Sequence, residues 1–271
     1  MTGRIDASAL SASLAQVQIN VGFARAVVDD VVDGSVWVSA DVGVGAAHVI
    51  HSYGMSLIWG ERVDDAFEEL VSRLVEGTYW TRDEWLQVDP RWAHLPWRER
   101  LGIDSVDEHV RVNFDFDRDQ FLAGGVDTAT SDSWTLRPAT AADFARPGSV
   151  IPVEFWRNAE QFLANGGGWV AERDGAFGAM AFSSFRSGSQ IELGIETAPD
   201  ARRQGLATAV ARRMITDTLL QGLTPVWSCR ASNAGSYRLA RTLGFVPVRE
   251  IPYFRLGVRR PASRQGRIAM R

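Results

Sequence analysis

Between Gln204 and Gly222 the chain carries Leu206, Ala207, Val210, Ala211, Met214, Ile215 and Leu219 at helical spacing, with the strand-like runs SQIELGIETAP before them and TPVWSCR after them. A helix that is apolar on one side and joined to strands at both ends lays its stripe on a sheet. This half of the chain is therefore a layered α/β structure. The helix start has a second character. Arg202, Arg203 and Gly205 stand where strand gives way to helix, in PDARRQGLATAV. Free N–H groups of a first helical turn, the positive end of the helix dipole and two guanidinium groups together form an anion site. Gly205 lacks the Cβ that would hold a phosphate off the backbone, and small Ala207 keeps the next approach open. The loop has no Gly-Lys-Ser/Thr, so a γ-phosphate and its magnesium have no seat there, whereas a diphosphate has one.

On either side of this unit the pattern stays mixed. SWTLRPATAADF reads as a short strand and a helix start, and GWVAERDGAFGAMAFSSF as a hairpin turning at Asp174-Gly175. Downstream, NAGSYRLARTL is a helix capped by Asn233 and closed by Gly244, and FVPVREIPYF is a strand. In the first half Ala7 to Gln18 reads as helix, and SVWVSA and AAHVIHSYGMSLIW as strands. The run from Glu61 spaces Val63, Phe67, Leu70, Val71 and Leu74 as a helix that stops at Gly77. HVRVNFDFDRD alternates Val110, Val112, Phe114 and Phe116 with Arg111, Asn113, Asp115 and Asp117, which predicts a half-buried strand with an acidic outer row. The small, polar stretch LAGGVDTATSDSW reads as a linker. A boundary near residue 130 then divides the chain into an N-terminal α+β domain (1–130), a second domain (131–258) and an Arg-rich tail (259–271).

Charge separates the same two parts. Residues 1–130 hold 22 acidic residues and 10 arginines, and residues 131–271 hold 11 and 19. A basic second half suits an anionic ligand, and an acidic first half suits a cationic one; the same acidity opposes nucleic-acid docking. There is no lysine, which removes Schiff-base and lysine-base chemistry. The lone cysteine, Cys229, forms no disulfide framework and no metal cluster, and reads as a buried mid-strand residue. His48 and His51 point to opposite faces of an alternating strand, so they read as structural, and no metal is expected. Met1 to Asn20 lacks the pattern of a secretory signal, and no apolar run approaches a membrane span. The expectation is a cytoplasmic protein that binds neither membrane nor nucleic acid. The sequence sets no oligomeric state.

IELGIETAPD, the R-x-x-G-x-A start at Arg202, the strand after it and NAGSYRLARTLGF together resemble the GNAT N-acetyltransferase superfamily, as does LRPATAAD at 136–143. More narrowly, GIETAPDARRQGLATAV, LTPVWSC, HVIHSYGMSLIWG and DEWLQVDPRW resemble the two-domain group that includes the zwittermicin A resistance acetyltransferase. The first resemblance covers roughly residues 134–256, the second nearly the whole chain. It implies a mixed, mostly antiparallel sheet flanked by helices, with the N-terminal half serving substrate recognition or standing as a degenerate copy. It also implies acetyl-CoA as donor, a small-molecule amine as acceptor, and an antibiotic or amino-acid-derived metabolite as substrate class.

Residue by residue, the resemblance implies that the main chain of Ile195, Glu196 and Thr197 pairs with the pantetheine arm. Arg202, Arg203, Gln204, Gly205, Leu206, Ala207 and Thr208 would hold the diphosphate, and Asn233 and Ser236 would reach the far side of the cofactor. Asn233 also serves as a plain helix cap. Amine attack on a thioester needs a base, and Glu192 and Glu196 share one face of their strand, so either could act directly or through water, with Glu192 the first choice. The tyrosine that many members carry four residues before the Gly-Phe pair is Ala240 here. Tyr237, one turn earlier, Ser236 or water is then the candidate general acid. The missing tyrosine also motivates the alternative of a non-catalytic acyl-CoA-binding or regulatory module. Of the first-half tryptophans, Trp85, Trp92 and Trp97 are candidates to line an acceptor cleft.

Overall fold

The structure is a computed structural model that describes residues 7–39, 44–77, 79, 82–124 and 133–257. The expected boundary near residue 130, the tail 259–271 and Trp80 lie outside those residues. The first half runs α1 (Ala7–Leu14), α2 (Gly22–Val28), β1 (Gly34–Val38), β2 (Ala47–His51), β3 (Met55–Trp59), α3 (Phe67–Glu76), β4 (Glu84–Val88), α4 (Trp97–Leu101), β5 (Val106–Phe116) and α5 (Arg118–Ala123). The second runs β6 (Thr135–Pro138), α6 (Ala159–Ala164), β7 (Gly168–Arg173), β8 (Ala176–Ser187), β9 (Gln190–Thr197), α7 (Leu206–Leu220), β10 (Thr224–Arg230), α8 (Ala234–Thr242) and β11 (Phe245–Leu256).

Among the described residues the strands join one sheet in the order β1-β2-β3-β4-β11-β5-β10-β9-β8-β7-β6. Two pairings are parallel, β3 with β4 and β9 with β10, and each is bridged by a helix, α3 or α7. From β1 to β5 and from β7 to β11 the order is the same: strand, strand, strand, helix, strand, helix, strand. The last strand of each half leaves its own half: β5 pairs with β10, β11 pairs with β4, and β5 and β11 run antiparallel from Phe245↔Phe116 to Leu256↔Val106. Each half completes the other's sheet.

Helices cover both faces. Leu206, Val210, Ala211, Met214 and Ile215 of α7 are buried with Trp227, Cys229 and Phe245 on one face. Leu70, Leu74 and Trp97 of α3 and α4 do the same in the first half, with Ile58 and Leu86. The opposite face carries a core drawn from both halves, in which Phe23 of α2 meets Trp59 of β3 and Phe182 and Phe185 of β8. The helix stops follow the sequence, with Gly77 at φ +60 closing α3, and Asp174-Gly175, both at positive φ, turning the β7–β8 hairpin.

The acidic outer row expected along β5 is corrected. Arg111 and Asn113 are buried, while Asp115 is exposed. Alternation assigns a strand two faces but not their cover, and from Arg111 to Phe114 this central strand is buried on both.

His48 and His51 are both fully buried on β2. His48 Nε2 lies 2.8 Å from Glu84 Oε1, which also accepts from Ser56 at 2.5 Å. His51 Nδ1 accepts from the Tyr53 N–H at 2.9 Å, so its ring is neutral at that nitrogen. Burial holds the His51 pKa down at about 4, with Asp33 opposing and Arg82 assisting. Above pH 6.5 neither folded nor unfolded chain carries the proton; between 6.5 and 4 only the unfolded chain does. Stability is therefore lost as pH falls through that window, by roughly 3 kcal/mol at its foot. Urea unfolding at pH 7.5 and 4.5 measures this, and His51→Asn is expected to remove most of the difference.

Candidate functional site

The anion site forms first. Gly205, at φ +77, is the residue before α7, and no side chain caps the helix. Arg203 has φ +64, a region that costs a residue with a Cβ on the order of 1 kcal/mol. A Cβ on Gly205 would meet nothing within 4 Å, so open space lies in front of the backbone here. Among the described residues the amides of 203–208 find no hydrogen-bond partner, while Ala209 N–H bonds Gly205 O. Arg202 and Arg203 are exposed and have no carboxylate partner among the described residues. The result is a curved row of free donors with two cations beside it.

This row opens onto a slot in the sheet. β9 and β10 pair only at Gln190↔Thr224, Ile191↔Pro225 and Glu192↔Val226. Beyond Glu192 the two strands part, and the edge of β9 facing β10 loses its ladder. The corresponding first-half pair, β3 and β4, stays joined from Met55↔Trp85 to Ile58↔Val88, so no slot opens there. Across the slot Asn233 Oδ1 accepts from Ser236 N–H at 3.1 Å, and Ser236 Oγ accepts from Trp227 Nε1 at 3.1 Å. The cleft so formed measures about 710 Å³ and runs from the α7 start into the junction between the halves.

At that junction a polar cluster surrounds Glu192. Ser228 Oγ donates to Glu192 Oε1 at 2.9 Å, and receives from Arg111 Nη2 at 2.6 Å and from Asn20 Nδ2 at 3.3 Å. The Arg111 guanidinium is 3.5 Å from the same carboxylate oxygen. Glu192 Oε2 is buried without a partner. Burial pushes the Glu192 carboxyl above the usual carboxylate range, against the pull of Arg111 and the donated hydrogen bonds. Tyr253, stacked 5.3 Å under Arg111, is pushed up to about 12 by burial, and Tyr53 is raised for the same reason. A desolvated carboxylate with one oxygen free is equipped to take a proton.

The structure gathers Glu192, Ile195, Thr197, Arg202, Arg203, Gly205, Leu206, Ala207, Thr208, Asn233 and Ser236 on the walls of this cleft. Three expected residues stand off it. Gln204 accepts from Trp134 Nε1 and donates to Asp200 O, both at 3.1 Å, and so pins the loop from outside. The Glu196 carboxylate accepts the amides of Ser149 at 2.9 Å and Val150 at 2.8 Å, which occupies it with a loop. Tyr237 packs edge-on against Phe114 at 5.4 Å, in the helix-covered core. Of the three candidate tryptophans of the first half, Trp85 is the one that lines the cleft. Trp97 is buried and donates to Trp92 O, and Trp92 donates to Gly60 O. Arg111, Asn20, Tyr53, Arg230 and Tyr253 went unread. The only signal for Arg111 was a cation inside an otherwise acidic alternating run, and nothing in sequence links it to Glu192, 81 positions on.

A family model described as GNAT acetyltransferase matches residues 116–254, just over half of the chain. A Bacillus subtilis protein described as an uncharacterized N-acetyltransferase is 32% identical over 104 residues, which are 38% of this chain and 40% of that relative. A GCN5-related N-acetyltransferase-like protein from Streptococcus suis shares the fold, with TM-score 0.70 and 20% identity over 92% of this chain and 97% of that one. A Drosophila protein does so at TM-score 0.65 and 14% identity, over 93% and 97%.

Proposed function

Since the chain belongs to the GNAT acetyltransferase family, we propose that it transfers the acetyl group of acetyl-CoA to a primary amine of a small molecule bound between the halves. One observation carries this reading: the free amides of 203–208 open directly onto a slot whose far end holds a buried carboxylate. The residues present fit the donor. Six free amides with Arg202 and Arg203 match a diphosphate, and the unpaired edge of β9 matches the amide groups of a pantetheine arm, which hydrogen-bond as an added strand does. When bound, acetyl-CoA supplies an acyl group already activated as a thioester.

The chain's own groups do the rest. The cradle and slot orient the thioester, and walls such as Phe155, Phe185 and Tyr253 keep water from the cleft's inner end. Glu192 accepts the proton of the attacking amine, directly or through one water, because its raised pKa brings it closer to the ammonium group it must deprotonate. Arg111 and Ser228 hold that carboxylate in place. Ser236, a hydroxyl of α8 on the cleft wall, is the candidate donor to the departing thiolate, whereas the Tyr237 ring packs against Phe114. The lone, buried Cys229 supports a reducing, cytoplasmic setting, and among the described residues no helix is long and apolar enough to cross a membrane.

The direct test is thiol release from acetyl-CoA with a panel of amines. Turnover with any of them supports the reading. Tight acetyl-CoA binding with no release from any amine favours the regulatory module.

A further inference from the structure

We propose that the acceptor is an α-amino acid or a close relative, an amine that carries a carboxylate on an apolar or aromatic frame, with Arg230 as the group that binds the carboxylate. This rests on the acetyl-transfer reading above and deepens it. The net charge of the first half suits a cationic acceptor, whereas the resemblance implies an antibiotic or amino-acid-derived one. The cleft wall favours a carboxylate-bearing acceptor. The first half contributes Tyr53, Met55, Trp85 and Arg111 to its wall, and no carboxylate. Across the whole lining Glu192 is the one carboxylate among the described residues.

Register separates the two ends. Arg230 pairs with Arg111 and Ser228 with Asn113 across the β10–β5 ladder, and Val226 lies level with Glu192. Pleating puts Val226, Ser228 and Arg230 on one face, while Trp227 and Cys229 point into the α7–α8 core. Arg230 thus shares a sheet face with the proton-accepting Glu192, whereas the diphosphate cradle belongs to the start of α7. Trp85 and Tyr253 stand beside it, with their rings 5.1 Å apart.

Of Arg82, Arg111, Arg230 and Arg255, only Arg230 lacks a partner among the described residues. Arg111 is held by Ser228 and Glu192. Arg82 is paired with Glu154, and Arg255 with Asp83 and Asp107. Arg230 is exposed and has no hydrogen-bond or ion-pair partner among the described residues, and its guanidinium lies 4.9 Å over the Trp85 ring. A planar fork held by stacking and left without an anion is preorganised for a carboxylate. Setting Arg111 and Arg230 against Glu192 leaves this end with one uncompensated positive charge. A single carboxylate on the acceptor cancels it. The same field favours the neutral, nucleophilic form of the amine over its ammonium form. The aromatic and thioether walls from Tyr53, Met55, Trp85, Phe155 and Tyr253 take the apolar part.

The test uses matched pairs that differ only in the carboxylate. With CoA present, N-acetyl-L-phenylalanine is expected to bind the intact protein at least tenfold more tightly than N-acetylphenethylamine by calorimetry, and Arg230→Gln to reduce that ratio at least threefold. A ratio below threefold, no binding of either compound at 10 mM, or a ratio that Arg230→Gln leaves intact overturns the proposal. Thiol release with L-phenylalanine and phenethylamine runs beside it. A retained binding preference with no release from either amine, or from the wider panel, overturns the acetyl-transfer reading alone and leaves the carboxylate site standing.

Discussion

Gly205→Glu is expected to abolish measurable acetyl-CoA binding while leaving the protein folded. The carboxylate would enter the space that a Cβ at Gly205 leaves open, so no clash forces the backbone to move. The left-handed φ of +77 adds strain on the order of 1 kcal/mol, small against the stability of a domain. What changes is charge. A unit negative charge about 5 Å from one charge of a diphosphate is repelled by roughly 3 kcal/mol at an effective dielectric of about 20, and the diphosphate carries two such charges. Affinity should fall by two orders of magnitude or more. Gly205→Ala separates the two effects, because it keeps the strain and omits the charge; its loss should stay within about tenfold. Calorimetric titration with acetyl-CoA, alongside thermal unfolding, measures both variants. Binding retained by Gly205→Glu would mean that the amides of 203–208 do not hold the diphosphate, and the proposed function would fall with them.

The cradle was legible in sequence because everything it needs is local. A strand, a turn with glycine, two arginines and an amphipathic helix follow one another within about thirty residues, and helix geometry alone aims the amides. The cap at Asn233, the stop at Gly77 and the turn at Asp174-Gly175 were readable for the same reason. The acceptor end was not. Arg111 and Glu192 meet because β5 crosses into the second half to pair with β10, and no local pattern encodes which edge a strand will join.

The alternation along β5 located its two faces correctly but read the polar one as solvent-facing. The same polar positions, Arg111 and Asn113, line the inner end of the junction instead. Net charge by halves likewise does not describe the cleft wall. Some acids of the first half are paired, Glu84 with His48 and Asp83 and Asp107 with Arg255, and among the described residues none lines the cleft. Net charge describes a domain's far field, whereas a ligand meets the few side chains that the topology turns toward it.

Glu192→Gln is expected to lower kcat at least a hundredfold with little change in acetyl-CoA affinity, since the amide is nearly isosteric but cannot take the amine's proton, and a positioned general base contributes about 10²–10⁴. The pH profile distinguishes this from a structural role. Burial raises the Glu192 pKa and Arg111 opposes the rise, so the wild-type kcat/KM should climb as pH passes through that raised value. The Gln variant should lose that limb. Stability carries a second sign. A carboxyl whose folded pKa lies above its unfolded one contributes stability that is full below the ordinary carboxylate range and is lost as pH rises through the folded pKa. As pH rises from the ordinary carboxylate range through the raised value, the wild type should therefore weaken relative to Glu192→Gln in urea unfolding, whatever the offset left by removing the charge beside Arg111. If the variant keeps kcat within threefold and the same pH limb, the proton leaves by another route. The carboxylate would then serve only as the buried partner of Arg111, a role in which its free oxygen Oε2 has no use.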